Sequence, residues 1–158
     1  MATQLQLRKG TKFQNDAFTG AEAELTYDST SKGLRLHDGV QQGGYEVPVL
    51  VSVQRPTAEN NYTWARVWSD GWVEQGGLTS VSASASSNTY VISIPLAIEM
   101  ADNNYTGFCQ AAFTGGSAWN GPVLDNTSST STIVVFTGWV SGASTINAKT
   151  WRVEGMRA

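Results

Sequence analysis

The stretch WARVWSDGWVEQGG, residues 64–77, predicts a β-hairpin around which the chain folds. Aromatic and β-branched residues flank an Asp70-Gly71 pair, and such a pair is typical of a tight turn in which glycine takes a positive φ. Side chains alternate between the two faces of a strand. One face therefore carries aromatic and polar residues and the other small apolar residues. The first set is Trp64, Arg66 and Trp68, and the second is Ala65 and Val67.

The length of the turn sets the register of this hairpin. If the turn consists of Asp70 and Gly71 alone, the strands pair residue by residue on either side of them. The predicted pairs are Trp68 with Val73, Val67 with Glu74 and Arg66 with Gln75.

The composition points to strands and turns and excludes several classes of function. Of 158 residues, 41% are apolar and only 15% are charged, and the net charge is −3. This balance provides no basic surface for nucleic acid or for a membrane. The segment before Arg8 does not resemble a signal peptide, and no apolar run approaches the length of a membrane span. We therefore expect synthesis in the cytoplasm of the producing cell.

The scarcity of cysteine and histidine limits the available chemistry. Cys109 is the only cysteine, so an intrachain disulfide and a cysteine-based zinc site are excluded. It lies in an apolar run, which favours a small buried side chain over a reactive thiol. His37 is the only histidine, so a multi-histidine metal site is excluded as well. We expect no metal and no cofactor.

The pattern before residue 60 predicts a small β module. Strands are expected at 4–8, 24–28 and 34–37, with turns at 9–11 and 29–33. Pro48 lacks an N–H donor, so the apolar run 45–53 is expected at a sheet edge or as an extended connector. So small a unit with a thin core usually needs oligomerisation. The expected core residues are Leu5, Leu7, Phe13, Phe18, Leu25, Tyr27, Leu34, Leu36 and Val40.

The same residues resemble an N-terminal module of bacteriophage tail-fibre and tropism-determinant proteins. The matching parts are LxLRxGT at 5–11, FTGAEAEL at 18–25, Asp28, LRL at 34–36 and Asp38-Gly39. Ala23 and His37 stand where the family usually has glycine. The resemblance implies an intertwined β structure on a trimer axis that connects the protein to the virion.

The pattern after residue 60 predicts several short antiparallel strands. Beyond the hairpin, strands are expected at 89–96, 105–113, 132–136 and 150–155, with a helical turn at 97–102 and a turn at 138–143. Short strands separated by Gly, Ser and Asn turns favour a β-sandwich.

The C-terminal part resembles the distal domain of phage tail fibres. The matching parts are WARVWSDGWVEQGG at 64–77, YVISIPLAIEMADNNYT at 90–106, STIVVF at 131–136 and TWRVEG at 150–155. The resemblance implies a trimeric β-sandwich knob whose loops contact the host. Residues 1–45 would then attach to the virion or fibre, 46–60 would connect, and 61–158 would bind the receptor.

Catalysis has little support in the sequence. A glycosidase needs two carboxylates about 5–9.5 Å apart across a cleft, and the acidic residues of this chain fit structural roles better. Asp70 is a turn residue, and Glu99 and Asp102 fit a solvated corner. We therefore do not expect an enzyme, although a polysaccharide-degrading tail protein remains an alternative.

Glycan binding has more support, because aromatic rings stack on sugar rings and polar groups bind sugar hydroxyls. The longest polar stretch, 114–131, contains the pairs Trp119-Asn120 and Asp125-Asn126. Trp139 lies beyond this stretch. The alternative is that these tryptophans anchor loops, whereas the other four tryptophans after residue 60 pack in a core or trimer interface. The candidate receptor-binding residues are Trp119, Asn120, Asp125, Asn126 and Trp139.

The strand pattern thus predicts an all-β protein, and the two resemblances imply a homotrimeric receptor-binding protein of a phage tail fibre. Its partners would be two further copies of itself, other virion proteins and a glycan or protein on the host surface, without nucleic acid or membrane insertion. A monomeric lectin-like module is the second alternative.

Overall fold

The fold was described from a computed structural model. It covers residues 7–78, 82–85, 88–114, 117–118, 121–141 and 144–158, and of 82–85, 117–118, 141, 144, 148 and 149 it describes the backbone alone. The predicted all-β class is confirmed: apart from one parallel pair, the strands among the described residues pair antiparallel, and they form no closed barrel. The chain divides into two compact units, Met1–Val51 with Trp68–Asp70, and Ser52–Val67 with Gly71–Ala158.

The N-terminal unit is a four-stranded sheet with one short helix. Strands predicted at 24–28 and 34–37 are confirmed and pair as a hairpin, whereas the turn predicted at 9–11 is wrong because Lys9 and Gly10 lie in a strand. The sheet order is β1-β2-β3-β4, with β1 parallel to β2. The elements are β1 Arg8–Gly10, α1 Lys12–Asp16, β2 Glu22–Asp28, β3 Leu34–Asp38 and β4 Tyr45–Val47.

The helix α1 was not predicted, although the sequence carries its start signal. The Thr11 side chain accepts a hydrogen bond from the Gln14 backbone N–H, and the Gln14 side chain accepts one from the Thr11 N–H. This reciprocal pair is a capping box, which satisfies two N–H groups that a helix start leaves open. Thr-x-x-Gln at 11–14 is its sequence signature.

The interior of the N-terminal unit is polar. The prediction of an apolar core is therefore wrong for most of the residues that it named. Strand alternation turns polar side chains inward: Thr26, Asp28, Arg35 and His37 are all at most 4% exposed. Leucines on the same strands point outward, and Leu5 lies outside the described residues. The predicted core residues found exposed are Leu7, Phe13, Leu25, Leu36 and Val40.

A single guanidinium connects four segments of this unit. The Nη2 of Arg35 lies 2.8 Å from Asp16 on α1, 3.2 Å from Asp28 on β2 and 3.0 Å from Glu46 on β4. Its Nη1 donates to the Gly43 carbonyl at 2.9 Å. Asp28 in turn accepts the backbone N–H groups of the turn after β2. Arg35 on β3 therefore holds the helix, β2, β4 and the loop at Gly43 directly, and the turn after β2 through Asp28.

The imidazole of His37 is buried on the same face of β3 as Arg35. The Gly20 N–H donates to Nδ1 at 3.3 Å, and Nε2 lies 3.0 Å from the Thr26 hydroxyl. Since Nδ1 accepts, this arrangement assigns the proton of the neutral ring to Nε2. Phe18 packs edge-on against the ring at 5.3 Å.

The C-terminal unit contains two sheets that share one core. A short 3₁₀ helix lies at Ala58–Asn60. One sheet has the order β10-β14-β7-β6-β5, with β8 paired to β14, and the other has the order β11-β13-β12, with β9 paired to β13. The strands are β5 Leu50–Gln54, β6 Trp64–Trp68, β7 Trp72–Leu78, β8 Ser82–Ala85, β9 Thr89–Pro95, β10 Thr106–Thr114, β11 Ser117–Ala118, β12 Val123–Leu124, β13 Ile133–Ser141 and β14 Ser144–Met156.

The core between these sheets follows the predicted alternation. The inward residues of β9, namely Tyr90, Ile92 and Ile94, are at most 3% exposed, and Phe136 of β13 is fully buried. Ala65 and Val67 of the hairpin lie on the buried face, as predicted. The strands predicted at 89–96, 105–113, 132–136 and 150–155 are confirmed.

Cys109 belongs to this core, in agreement with the prediction of a small buried side chain. It is 3% exposed and packs with Tyr90 and Trp151 in one cluster. Burial raises the pKa of its thiol to about 11, so the thiol is protonated at neutral pH.

Two local predictions in this unit are wrong. Residues 97–102 do not form a helical turn, because the backbone N–H groups of Ala97 and Ile98 donate to the buried side chain of Gln75 instead. Gly138 does not start a turn, because β13 continues through it to Ser141. Tyr90 pairs with Gly138 across the sheet, and its ring occupies the space that a side chain there would fill.

The hairpin at 64–77 exists, but its register differs by one residue from the prediction. Val67 pairs with Val73 and Arg66 pairs with Glu74. The connection therefore has an additional residue, Ser69, and only Gly71 takes a positive φ, of 91°. A three-residue hairpin loop of this kind ends in a left-handed residue, whereas the predicted two-residue turn needs two positive φ values.

We expect replacement of Arg35 by methionine to unfold the N-terminal unit, because it leaves the buried carboxylate of Asp28 unpaired. Breaking a buried ion pair costs about 3–5 kcal/mol. All six tryptophans follow residue 63, so tryptophan fluorescence does not report directly on the strands at 22–38. Hydrogen exchange of the backbone amides in 22–38 is therefore the appropriate measurement. Arg8→Met is the matched control, since its pair with Glu24 is exposed and such pairs contribute at most about 1 kcal/mol. Equal protection in both variants would contradict this role of Arg35.

We expect Gly138→Ala to lower the free energy of unfolding by about 1–3 kcal/mol, because the new methyl group overlaps the buried ring of Tyr90. Gly121→Ala is the control, since no described residue beyond its chain neighbours lies within 4 Å of the position that its new methyl group would take. This control should change the stability by no more than about 0.5 kcal/mol. Urea denaturation followed by tryptophan fluorescence measures both. Equal midpoints would show that the ring does not need this space.

Candidate functional site

The outer face of the six-stranded sheet carries a row of side chains that crosses four strands. Phe108 of β10 pairs with Arg152 of β14, Arg152 pairs with Gly76 of β7, and Gly76 pairs with Trp64 of β6. We call Phe108, Arg152, Gly76 and Trp64 the outer row. Phe108 is 64% exposed, and Trp64 is partly exposed. Two aromatic side chains and one cation therefore lie in line on a rigid surface.

Glycine at the third position of the outer row shapes this surface. A side chain at Gly76 would meet the indole of Trp64 at 3.0 Å and would also meet the backbone carbonyl of Trp151. The indole therefore lies across the glycine, in the space that a side chain would need. The guanidinium of Arg66 lies 5.8 Å from the centre of the indole, within cation–π range.

Glu74 holds two arginines on either side of it. Its carboxylate lies 3.5 Å from Nη1 of Arg66 and 3.3 Å from Nη2 of Arg152, and Arg152 also contacts Glu154 at 2.9 Å. The side chain of Glu74 is 20% exposed, whereas those of the two arginines are 56% and 51% exposed. The carboxylate is thus the more buried partner, and both guanidinium groups remain accessible.

Two cavities flank Arg152 on this face. The larger has a volume of about 440 Å³ and is lined by Val53, Gln54, Arg55, Pro56, Trp64, Arg66 and Arg152. The smaller has a volume of about 150 Å³ and is lined by Thr106, Gly107, Phe108, Arg152 and Glu154. The larger is within the range of small-molecule sites, which combine an apolar wall with a few polar groups.

Arg55 adds a further cation to the larger cavity. Its side chain is exposed, and it forms no ion pair with any side chain in the part of the chain that the structure describes. The cavity therefore has an aromatic wall at Trp64 and three arginines at its rim, of which two share Glu74. This arrangement can hold an apolar ring together with a negative charge.

Two of the five candidate receptor-binding residues named from the sequence, Trp119 and Asn120, lie outside the described residues. Asp125 and Asn126 follow β12 in a loop. Asp125 accepts hydrogen bonds from the backbone N–H groups of Thr127 and Ser128, at 3.0 and 3.1 Å. Hydrogen bonds from Ser128 and Thr127 lower the pKa of Asp125, so the carboxylate stays charged and stabilises its own loop.

The neighbouring Asn126 joins two loops through its backbone. Its carbonyl accepts a hydrogen bond of 2.7 Å from the side chain of Asn103, while its own side chain is exposed. Trp139 lies in β13 opposite Thr89 and is 51% exposed. A receptor-binding role for Asp125, Asn126 and Trp139 stays a prediction.

The four tryptophans expected in a core or interface have different environments. Trp151 is 4% exposed and belongs to the core, whereas Trp72 is 38% exposed, and Trp64 and Trp68 lie between these extremes. The outer row is not identified from the sequence, because Trp64 is assigned there to this group. The alternation around it was the available signal: Ala65 and Val67 point inward, so Trp64 and Arg66 must point outward.

The N-terminal sheet has an apolar outer face of its own. Two cross-strand rows form it, Leu25–Leu36–Tyr45 and Tyr27–Leu34–Val47. Leu25, Leu36 and Tyr45 are 39%, 43% and 55% exposed. Contiguous apolar patches on a protein surface mark interaction sites.

Comparison with known proteins shows that the N-terminal part of the chain is similar to phage tropism proteins. Residues 5–41 match the family described as the major tropism determinant N-terminal domain. The chain is also 42% identical over 45 residues to a tail fiber receptor-binding protein of Bordetella phage BPP-1. The resemblance to phage tail-fibre and tropism proteins is thereby confirmed.

The similarity covers only a part of each chain: the 45 residues are 28% of this chain and 12% of the relative. No solved structure matches. The resemblance of residues 61–158 to distal domains of tail fibres stays a prediction. Among the described residues, no helix is long and apolar enough to cross a membrane, and no three His, Cys, Asp or Glu side chains are grouped as metal ligands.

The structure gives a physical reason for the residues found in the matched segment, 5–41. Asp28, Arg35 and His37, three of the buried polar side chains described above, all lie within residues 5–41. The leucines of LRL at 34–36 flank Arg35 and point to the opposite face. The motif therefore encodes a polar interior together with an apolar exterior.

Proposed function

We propose that this chain is a receptor-binding protein of a phage tail fibre, which attaches the virion to a glycan or protein on the bacterial surface. The observation that carries the proposal is the similarity to a tail fiber receptor-binding protein together with the tropism-determinant match at 5–41. The C-terminal unit, residues 52–67 with 71–158, would contact the host. Its location would be the virion, after synthesis in the host cytoplasm.

The apolar outer face of the N-terminal sheet supports assembly as a homotrimer. A small sheet with a polar interior buries little apolar surface by itself. Association of identical copies through Leu25, Leu36, Tyr45 and their neighbours would remove this surface from water. The same module would join the fibre to other virion proteins.

Adhesion in this proposal is non-covalent and depends on the number of sites. Three copies on one axis raise the effective concentration at the surface, so that weak single sites give strong attachment. The relative is named as a receptor-binding protein, and its name supports adhesion over the alternative of a polysaccharide-degrading enzyme.

The proposal predicts that the purified, fluorescently labelled protein adsorbs to some strains in a panel of bacteria that includes Bordetella. Adsorption should be saturable and competed by unlabelled protein, because it uses specific sites. Release of reducing sugars during the incubation would favour the enzyme instead. Absence of saturable adsorption to every strain would refute the receptor-binding role.

The trimer predicts a solution mass of three chains by analytical ultracentrifugation. Leu36→Lys should shift the protein to monomers by placing a charge within the apolar outer face. Val40→Lys is the matched control, since Val40 is 83% exposed and lies outside both apolar rows; it should leave the mass unchanged. A wild-type monomer at micromolar concentration would favour the lectin-like alternative.

A further inference from the structure

We propose that the outer row and its two cavities bind an acidic sugar chain, with sugar rings against Trp64 and Phe108 and a carboxylate at the arginines. The inference rests on the proposed receptor-binding function and specifies its ligand and its site. It places the site on the face of a sheet, away from the loop residues named from the sequence.

The aromatic side chains provide the first argument. Phe108 is 64% exposed in the middle of β10, where its inward neighbour Cys109 is buried. The indole of Trp64 occupies the space beside Gly76 and forms a wall of the larger cavity. An exposed phenyl ring and an indole held against glycine are both available for contact with an apolar ring face.

Charge provides the second argument. Arg55, Arg66 and Arg152 line the larger cavity, whereas Glu74 and Glu154, whose carboxylates pair with Arg66 and Arg152, do not line it. The formal charges of these three arginines and two glutamates sum to +1, whereas the net charge of the whole chain is −3. Arginine presents a planar fork of donors that matches a carboxylate, and such hydrogen bonds are among the strongest in proteins.

The spacing provides the third argument. Phe108 and Trp64 are separated by three steps between neighbouring strands, which is about 14 Å at 4.8 Å for each step. Arg152 lies between them and borders both cavities. A ligand that contacts both aromatic residues must therefore be extended and must carry its charge in the middle. A short run of a charged polysaccharide has this form, whereas a single sugar does not.

The mixed character of the surface distinguishes it from the apolar face of the N-terminal sheet. There, two rows of leucine, tyrosine and valine suit a second copy of the chain. Here, arginines and glutamates alternate with the aromatic residues, and the guanidinium groups of Arg66 and Arg152 remain about half exposed. Burying these exposed charges in a protein interface would cost desolvation energy, which opposes a stable association of two copies through this face.

The test is isothermal titration calorimetry of the full chain with tetragalacturonate, an acidic sugar chain, and with maltotetraose, a neutral one. We expect binding of tetragalacturonate that weakens with added NaCl, since exposed charges are screened by salt, and no binding of maltotetraose. Inorganic phosphate is the third probe. Equal binding of phosphate would overturn the proposal, because an anion alone would then suffice.

Two variants test the proposed site without disturbing the buried core. Arg55→Gln and Phe108→Ala change exposed side chains, and each should weaken binding of tetragalacturonate about tenfold, the effect of losing one charge-assisted hydrogen bond or one stacking contact. Arg157→Gln and Phe13→Ala are the matched controls, because Arg157 is an exposed arginine and Phe13 an exposed phenylalanine, and neither lines a cavity of the site. Unchanged affinity in both Arg55→Gln and Phe108→Ala would overturn the site.

Adsorption to bacteria separates this inference from the proposed function. If the wild-type protein adsorbs to a strain and the Arg55→Gln and Phe108→Ala variants adsorb equally well, the site is wrong and the receptor-binding role stands. If tetragalacturonate binds at the outer row but no strain adsorbs the protein, the site stands and the receptor-binding role fails.

Discussion

The buried guanidinium of Arg35 is the interaction on which the N-terminal unit depends. It contacts one carboxylate from the helix, one from a central strand and one from the edge strand, and it donates to a loop carbonyl. A small unit without disulfides normally relies on apolar burial. Here the interior is polar, and its specificity comes from the geometry of the guanidinium fork, which matches several carboxylates at fixed positions. This choice leaves the leucines of the same strands on the outside.

The C-terminal unit uses the alternation of its strands differently. Its inward residues form an apolar core shared by two sheets, while the outward residues of β6, β7, β10 and β14 form the outer row and its ion pairs. Glycines at 76 and 138 are needed for the same reason: an aromatic ring from the neighbouring strand occupies the space of the missing side chain. Close contact between a ring and a strand backbone is possible only where the strand carries no Cβ.

Much of this fold is predictable because strand alternation is a local property. The strands at 24–28, 34–37, 89–96 and 132–136 follow from period-two patterns, and the buried side of each C-terminal strand follows with them. The polar interior around Arg35 was not predictable by the same rule, which assigns leucine to the inside. The register of the hairpin depends on whether Ser69 belongs to the turn, and Asp-Gly alone does not settle that.

The candidate site was predictable only in part, because it is built from separate segments. Alternation places Trp64 and Arg66 outside, but their proximity to Arg152 and Phe108 depends on β14 lying between β7 and β10. That order joins residues far apart in the chain, and no local pattern encodes it. The glycan-binding expectation relied on loop position instead, as binding residues are often found on loops.

The position of the outer row on strands affects how the protein can evolve. Each of its side chains alternates with a core residue, so an exchange at Trp64, Phe108 or Arg152 changes the exposed surface and leaves Ala65, Cys109 and Val153 in place. Changes on an exposed strand face cost little stability when the buried face is kept. Selection for a new surface polymer can therefore act on one side of the sheet while the other side preserves the fold.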